Sequence, residues 1–236
     1  MINLFKKKNI KNLEELLNDK VSFTKLQKSL KIFLEKKIRE IGFIDSEYKI
    51  NVVFKDFHGY DKNISGSKNS IDYNPNVSNK NVTITINNRL IDAFLFNGDE
   101  DYKRLDLFIT IFHELYHLKI EKMFIDNKCN NDDLYKDTML RKYFEDKLKN
   151  DNYYFLNYKY FSEEILCNIH GISETIKFLN ENNLTLSNEE LNYLKEKYDL
   201  YLSDLMNKNR INPIDNKVYN LDELYESLIL SNNIKR

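Results

Sequence analysis

Two histidines and a glutamate stand together in the stretch LDLFITIFHELYHLKIEKMF, residues 105–124. On a helix, His113 and His117 lie one turn apart on one face, where both imidazoles can bind a single zinc ion. Burying these polar groups in an apolar segment costs free energy, and a metal cation supplies the missing partner. Glu114 would face a metal-activated water. The pattern H-E-x-x-H therefore predicts a zinc site with Glu114 as general base.

A catalytic zinc site needs a third protein ligand, because the fourth position is left for water. The candidates lie downstream in the segment SEEILCNIHGISETIKFLN, residues 162–180. Glu164 is the favoured ligand, and Glu163 and then His170 are the alternatives, because spacing alone does not fix how a helix is rotated. Asn168 follows Glu164 by four residues, so we expect it to hydrogen-bond a ligand histidine from outside the metal's own shell.

Helices, then strands, then helices must position these residues, an order that predicts an α+β fold. Apolar spacing predicts a helix that stops at Gly42, preceded by another around Leu13, Leu16 and Leu17. Alternation predicts strands in YKINVVF (48–54) and NVTITINNRLI (81–91), and a short one in SIDYNP (70–75). From Asp99 onward the pattern is almost wholly helical, with helices predicted at 105–124, 134–148, 162–180 and 187–206 and a short one at the end of 212–230.

Composition limits the partners and the compartment. Lys and Arg total 36 of the 236 residues against 37 Asp and Glu, so the net charge of −1 gives no whole-chain reason to expect nucleic acid or an anionic membrane. Cys129 and Cys167 are far apart in the sequence, which argues against a disulfide framework. The start carries no apolar run of secretory length, and no segment approaches a membrane span. We therefore expect a soluble, cytoplasmic protein.

The H-E-x-x-H helix, the preceding strands and the downstream glutamate resemble the gluzincin metallopeptidases. More narrowly, residues 48–180 are similar to the minimal zincin domain of the ImmA/IrrE-like group of bacteria and their phages. In thermolysin-like gluzincins the last helix carries Asp four residues after the ligand Glu, whereas this chain has Asn168 after Glu164. Bulky Ile165 and Leu166 also depart from the group, in which small residues often follow the glutamates.

The resemblance implies a zincin-like fold, with a small and mostly antiparallel sheet packed on the active-site helix. It implies a domain at 46–182, between N-terminal helices (1–45) and a C-terminal helical extension (183–236). It also implies that an extended peptide binds along an edge strand, although an internal strand is an equal alternative for the segment concerned. That segment is Val82, Thr83, Ile84, Thr85 and Ile86.

The function that the resemblance implies is hydrolysis of peptide bonds in a protein or peptide substrate. Zn²⁺ held by His113, His117 and Glu164 would activate the water, and Glu114 would pass its proton to the leaving amine. The oxyanion needs a further donor, for which Tyr158, Tyr160 and His170 are candidates at positions that are more often structural. His58 is expected to be a surface or turn residue.

Two other hypotheses belong to different classes of protein. The first is a regulatory or interaction module that keeps the zinc site without turnover, although the presence of Glu114 argues against a purely structural site. The second is a zinc-free helical interaction protein in which the two histidines are satisfied by hydrogen bonds within the core. Metal content separates the second hypothesis from the others, and a Glu114→Gln comparison separates the peptidase from the module.

Overall fold

The architecture is α+β, mostly helical with a small sheet. A computed structural model describes residues 22–44, 47–57, 66–68, 81–98, 101–147, 162–212, 214–215 and 217–230. The helices are α1 (Phe23–Ile41), α2 (Asn88–Phe96), α3 (Asp106–Ile125), α4 (Asp132–Lys147), α5 (Ser162–Glu181), α6 (Asn188–Met206) and α7 (Leu221–Tyr225), which continues into a π-helical turn at Glu226–Leu230. The strands are β1 (Lys49–Lys55), β2 (Gly66–Lys68), β3 (Asn81–Asn87), β4 (Asn209–Asn212) and β5 (Lys217–Asn220). Among these helices, none combines the length and apolar character that crossing a membrane requires.

Strand β3 lies in the middle of the sheet, which has the order β1-β3-β2. It pairs in parallel with β1 along its whole length, from Lys49 opposite Asn81 to Lys55 opposite Asn87. On its other side, Ile84 to Ile86 pair with the antiparallel strand β2. The expectation that Val82–Ile86 forms an edge strand is therefore wrong, and the mostly antiparallel character is not confirmed. The alternation of apolar residues in the sequence indicated only that one face of β3 is buried.

The strand predicted over 81–91 ends early, at Asn87. The Asn87 side chain accepts a hydrogen bond from the backbone N–H of Arg89 at 3.1 Å and so caps helix α2. Leu90, Ile91 and Ala93 then fall on the buried face of that helix. The apolar pair Leu90 and Ile91, which suits either a strand or a helix, hid this change of structure.

The long helices agree with their predictions. Helices α3, α4, α5 and α6 lie within a few residues of the expected segments, and α1 ends at Gly42, whose φ of 114° forms the left-handed cap that favours glycine. The helix predicted around Leu13 and the strand predicted at 70–75 lie outside the described residues. In the predicted helical tail, β4 and β5 instead form a hairpin before α7.

One apolar core joins the three predicted parts of the chain. Leu30 and Leu34 of α1, Ile84 of β3 and Phe108 of α3 are fully buried in it. Leu194 of α6, which belongs to the predicted C-terminal extension, is buried in the same cluster. The division at residues 45 and 182 remains a prediction, but both outer parts contribute side chains to the core that supports α3.

Candidate metal centre

Helix α3 brings its two histidines together as their spacing predicts. The Nε2 atoms of His113 and His117 lie 3.1 Å apart, and the ring centroids are separated by 4.7 Å. His117 is buried, with 3 % of its surface exposed, whereas His113 is partly accessible. Apolar side chains cover most of the helix, including Phe108, Ile111 and Leu118. Both imidazoles are thus held among apolar side chains, and their Nε2 atoms face one point.

Helix α5 directs Glu164 at the same point. Its Oε1 lies 3.0 Å from Nε2 of His117, and its Oε2 lies 3.5 Å from Nε2 of His113. One ligating atom from each of the three side chains lies within 4.8 Å of the other two. Two imidazole nitrogens and a carboxylate oxygen form a donor set that suits zinc. These are the three residues that the sequence predicted as ligands.

The other nitrogen of each imidazole has its own partner on α5. Nδ1 of His117 lies 2.9 Å from Oε1 of Glu163, and Nδ1 of His113 lies 3.0 Å from Oδ1 of Asn168. A proton on each Nδ1 satisfies these acceptors and leaves each Nε2 lone pair for a metal. Asn168 therefore lies where the sequence predicted it. Glu163, an alternative ligand in the sequence analysis, supports His117 from the opposite side of the ring.

A buried arginine completes the support of Glu163. Nη2 of Arg141, on α4, lies 3.0 Å from Oε2 of Glu163, and both side chains are nearly inaccessible. The guanidinium compensates the carboxylate's charge, which would otherwise be costly at this depth. Arg141 had no sequence signal, because its partner lies on a different helix.

The third ligand candidate, His170, lies away from the metal cluster. Its ring stacks on Tyr116 with centroids 4.1 Å apart and an interplanar angle of 24°. Burial lowers the pKa of His170, so it is a neutral aromatic partner in this contact. The alternative assignment of His170 as ligand therefore does not match the geometry. The same position, away from the cluster, also does not match the predicted alternative role of His170 as an oxyanion donor.

Charges at the centre reinforce each other. Burial by itself would lower the pKa of His117, but the neighbouring carboxylates of Glu164 and Glu163 outweigh it and hold that pKa well above its usual range. Burial likewise opposes ionisation of Glu164, yet the neighbouring His117 and His113 hold the pKa of this carboxyl well below its usual range. The centre thus keeps the Glu164 carboxylate ionised, and a metal cation would take the place of the second proton on His117 beside it.

Cys167 lies beside the centre as a neutral thiol. The side chain is fully buried, and burial raises its pKa to about 12. A zinc-binding cysteine acts as thiolate, so this environment does not favour Cys167 as ligand.

Glu114 opens onto a cleft of about 350 Å³ that also reaches His113. Helix α3 forms one wall with Asp106, Ile109 and Thr110 in addition to these two residues. The rest of the lining is Asp101, Tyr102, Asn168, Lys197 and Tyr201. Glu114 itself is only 5 % exposed. Glu114 and His113 thus lie beside the same accessible space, as the spacing of the two residues predicted.

Gly171 allows α3 and α5 to approach closely at the centre. A Cβ atom at this position would lie 2.7 Å from the backbone oxygen of Ile109 and 3.3 Å from the backbone nitrogen of His113. Both neighbours are backbone atoms, which move only with the helix. The absence of a side chain at Gly171 therefore sets the distance across which Glu164 and Asn168 reach the histidines.

The N-terminus of α5 is fixed by a buried ionic network that the sequence did not predict. Nη2 of Arg210, from strand β4, donates to Asp137 of α4 at 2.8 Å and to Oγ of Ser162 at 2.8 Å. The Asp137 carboxylate also accepts the backbone N–H of Ser162 at 2.9 Å. These bonds hold the helix turn that carries Glu163 and Glu164. A single Arg in a polar hairpin offers no pattern from which this partnership could be found.

A second acidic group, Asp132, Asp133 and Asp222, differs from the centre in its surroundings. It is mostly exposed, and the Lys136 ammonium lies between Asp132 and Asp222, 2.6 Å from the latter. Lys208 pairs with Asp133 at 3.0 Å, so each of the three carboxylates already has a lysine partner.

Three of the residues considered in the sequence, His58, Tyr158 and Tyr160, lie outside the described residues. Comparison of the chain with protein-family models, curated proteins and solved structures found no match.

Proposed function

We propose that this protein is a zinc-dependent metallopeptidase of the gluzincin type, with a zincin-like domain similar to the ImmA/IrrE-like group. The observation that carries the proposal is the convergence of His113, His117 and Glu164, with Glu114 beside them in an accessible cleft. Glu163 and Asn168 support the two imidazoles from outside, as the partners of metal-bound histidines do.

Each residue has a defined part in amide hydrolysis. A zinc ion in this site would activate water as nucleophile and polarise the scissile carbonyl. Glu114 accepts a proton from the attacking water and delivers it to the nitrogen of the leaving amine. Glu163 keeps the His117 ring oriented, and Asn168 does the same for His113. The substrate, a protein or peptide, would enter the cleft beside Glu114.

The proposed location is the cytoplasm. Cys129 and Cys167 are both free thiols, and Cys167 is buried without a disulfide partner. Unpaired cysteines are usual where thiols are kept reduced.

The decisive experiment combines metal content with hydrolysis. We expect one zinc per chain in the parent, and loss of zinc in His113→Ala and in Glu164→Ala. Glu114→Gln should retain zinc but hydrolyse a fluorogenic mixture of peptides about 10²- to 10⁴-fold more slowly. Asp106→Asn, also on α3, is not a suitable control because it lines the cleft; Lys119→Gln on the exposed side of α3 is suitable.

Each outcome separates the hypotheses. Zinc bound with no hydrolysis in parent or variant would favour a zinc-binding regulatory or interaction module. A parent that does not bind zinc, even after the metal is added back, would favour a zinc-free protein whose two histidines are satisfied by hydrogen bonds to side chains of α5. Loss of zinc in His113→Ala alone would remove Glu164 from the ligand set.

A further inference from the structure

Helix α6 contributes two side chains to the lining of the cleft beside the candidate metal centre. Lys197 and Tyr201 are four residues apart on α6, and both line the same cleft as His113 and Glu114. Helix α6 belongs to the segment 183–236, which the sequence analysis placed outside the catalytic domain. The lining of the cleft therefore includes a helix to which the family resemblance assigned no role.

Tyr201 is a hydrogen-bond donor in the lining of this cleft. The hydroxyl of Tyr193 donates to Oδ1 of Asp106 at 2.6 Å, and Lys197 lies 3.4 Å from the same oxygen. Across the cleft, the hydroxyl of Tyr102 accepts a hydrogen bond from Asn87. The Tyr201 hydroxyl, by contrast, makes no hydrogen bond to any of the residues that the structure describes.

The Tyr201 ring is held in place while its hydroxyl remains a donor. The ring packs against the main apolar core, and the side chain is about half-buried. Burial raises the pKa of Tyr201, and the carboxylates of Asp106, Asp204 and Glu164 raise it further. The phenol therefore keeps its proton at neutral pH. A fixed and protonated hydroxyl that lines the same cleft as His113 and Glu114 is suited to meet negative charge on a ligand.

We propose that Tyr201 donates a hydrogen bond to the carbonyl oxygen of the reacting amide as that oxygen becomes negative. The proposal rests on the proposed function and adds the donor that the sequence could not place. It also makes α6 part of the active site, so the C-terminal segment is required for catalysis as well as for packing. A donor pre-positioned at the developing charge costs no reorganisation at the moment of reaction.

The test compares Tyr201→Phe with Tyr198→Phe. Both changes remove one hydroxyl from α6, and Tyr198 packs on the core without lining the cleft. The probe is acetohydroxamate, a zinc-binding anion with an oxygen acceptor, titrated calorimetrically into each zinc-loaded chain. We expect unchanged zinc content in both variants and a roughly ten- to hundredfold loss of acetohydroxamate affinity in Tyr201→Phe alone, as for a hydrogen bond to a charged group.

Hydrolysis gives the second measurement. With a fluorogenic peptide mixture, Tyr201→Phe should lower kcat by about 10²- to 10³-fold with little change in KM, because the bond forms only as charge develops. Equal acetohydroxamate affinity in parent and both variants would overturn the role of Tyr201 and leave the zinc peptidase intact. A parent that binds no zinc would overturn the proposed function itself, and Tyr201 with it.

Discussion

The His117 imidazole is bound on both sides by carboxylates from one turn of α5. Nδ1 lies 2.9 Å from Oε1 of Glu163, and Nε2 lies 3.0 Å from Oε1 of Glu164. Two adjacent residues thus contact the ring differently: Glu164 lies beside the Nε2 atoms that would bind the metal, and Glu163 lies beside Nδ1 of His117. Sequence spacing makes these neighbours interchangeable, whereas the rotation of α5 separates their roles.

Glu163→Gln should weaken zinc binding without removing it. The change keeps the size of the side chain but takes away the charge that accepts the Nδ1 proton of His117, so the imidazole becomes a poorer ligand. We expect a loss of about 10- to 100-fold in zinc affinity, measured by competition with a chromophoric chelator. Glu174→Gln, on the same helix and away from the centre, is the control. A complete loss of zinc would instead make Glu163 a direct ligand.

Asn168→Asp should strengthen zinc binding. His113 has an amide as its outer partner, 3.0 Å away, where His117 has a carboxylate. A carboxylate at residue 168 would make the His113 nitrogen more basic and add negative charge beside the cation. We expect several-fold to about tenfold tighter binding, measured in the same chelator competition.

Asn180→Asp, exposed near the C-terminus of α5, adds the same charge far from the centre and should leave the affinity unchanged. Weaker zinc binding in Asn168→Asp would mean that repulsion from Glu164 exceeds the gain in imidazole basicity.

The site residues whose relative positions are set within a single helix were predictable from the sequence. His113 and His117 are on one helix, where a spacing of four places them together, and Glu164 and Asn168 share the same spacing on another. The predictions that failed concern relationships between elements. The residues of Val82–Ile86 do not indicate which strands lie on either side, so the central position of this strand in the sheet could not be predicted from the sequence.

Long-range partnerships failed for a similar reason. Arg141 reaches Glu163 from α4, and Arg210 reaches Asp137 from a hairpin that follows it by 73 residues in the sequence. Tyr201 lies in a segment with many aromatic residues that pack in cores. Tyr201 differs from Tyr198 only because α6 approaches α3 on the side of Tyr201. The spacing of residues in the sequence does not predict that approach.

Gly171→Ala should destabilise the protein and loosen the metal centre. Helix propensity alone favours alanine by about 1 kcal/mol. The added Cβ, however, would lie 2.7 Å from the Ile109 backbone oxygen, and overpacking of this kind costs about 1–3 kcal/mol. We expect a lower free energy of unfolding in urea and weaker zinc binding, since α3 and α5 must separate.

Ser173→Ala, on the exposed face of α5, provides the reference for the propensity effect. If Gly171→Ala were more stable than the parent, propensity would outweigh the contact, and the close approach of the helices would not be limiting.

Arg210→Gln should destabilise the protein strongly, because it leaves the Asp137 carboxylate fully buried without its guanidinium. Breaking a buried pair in this way costs about 3–5 kcal/mol. Asp137→Asn in the Arg210→Gln background removes the uncompensated charge, so the double variant should lose less than the sum of the two single changes. Urea unfolding of the four chains measures this coupling.

The same four chains reveal whether the network also positions the metal ligands. Asp137 and Arg210 hold Ser162 at the first turn of α5, so loosening them should shift Glu163 and Glu164 and weaken zinc binding, by up to about tenfold. Lys208→Gln, which removes an exposed ion pair with Asp133 at 3.0 Å, should change stability by no more than about 1 kcal/mol and leave zinc affinity unaltered. If Arg210→Gln lowered stability but left zinc affinity constant, the network would only hold the hairpin on the helices and would not position the metal ligands.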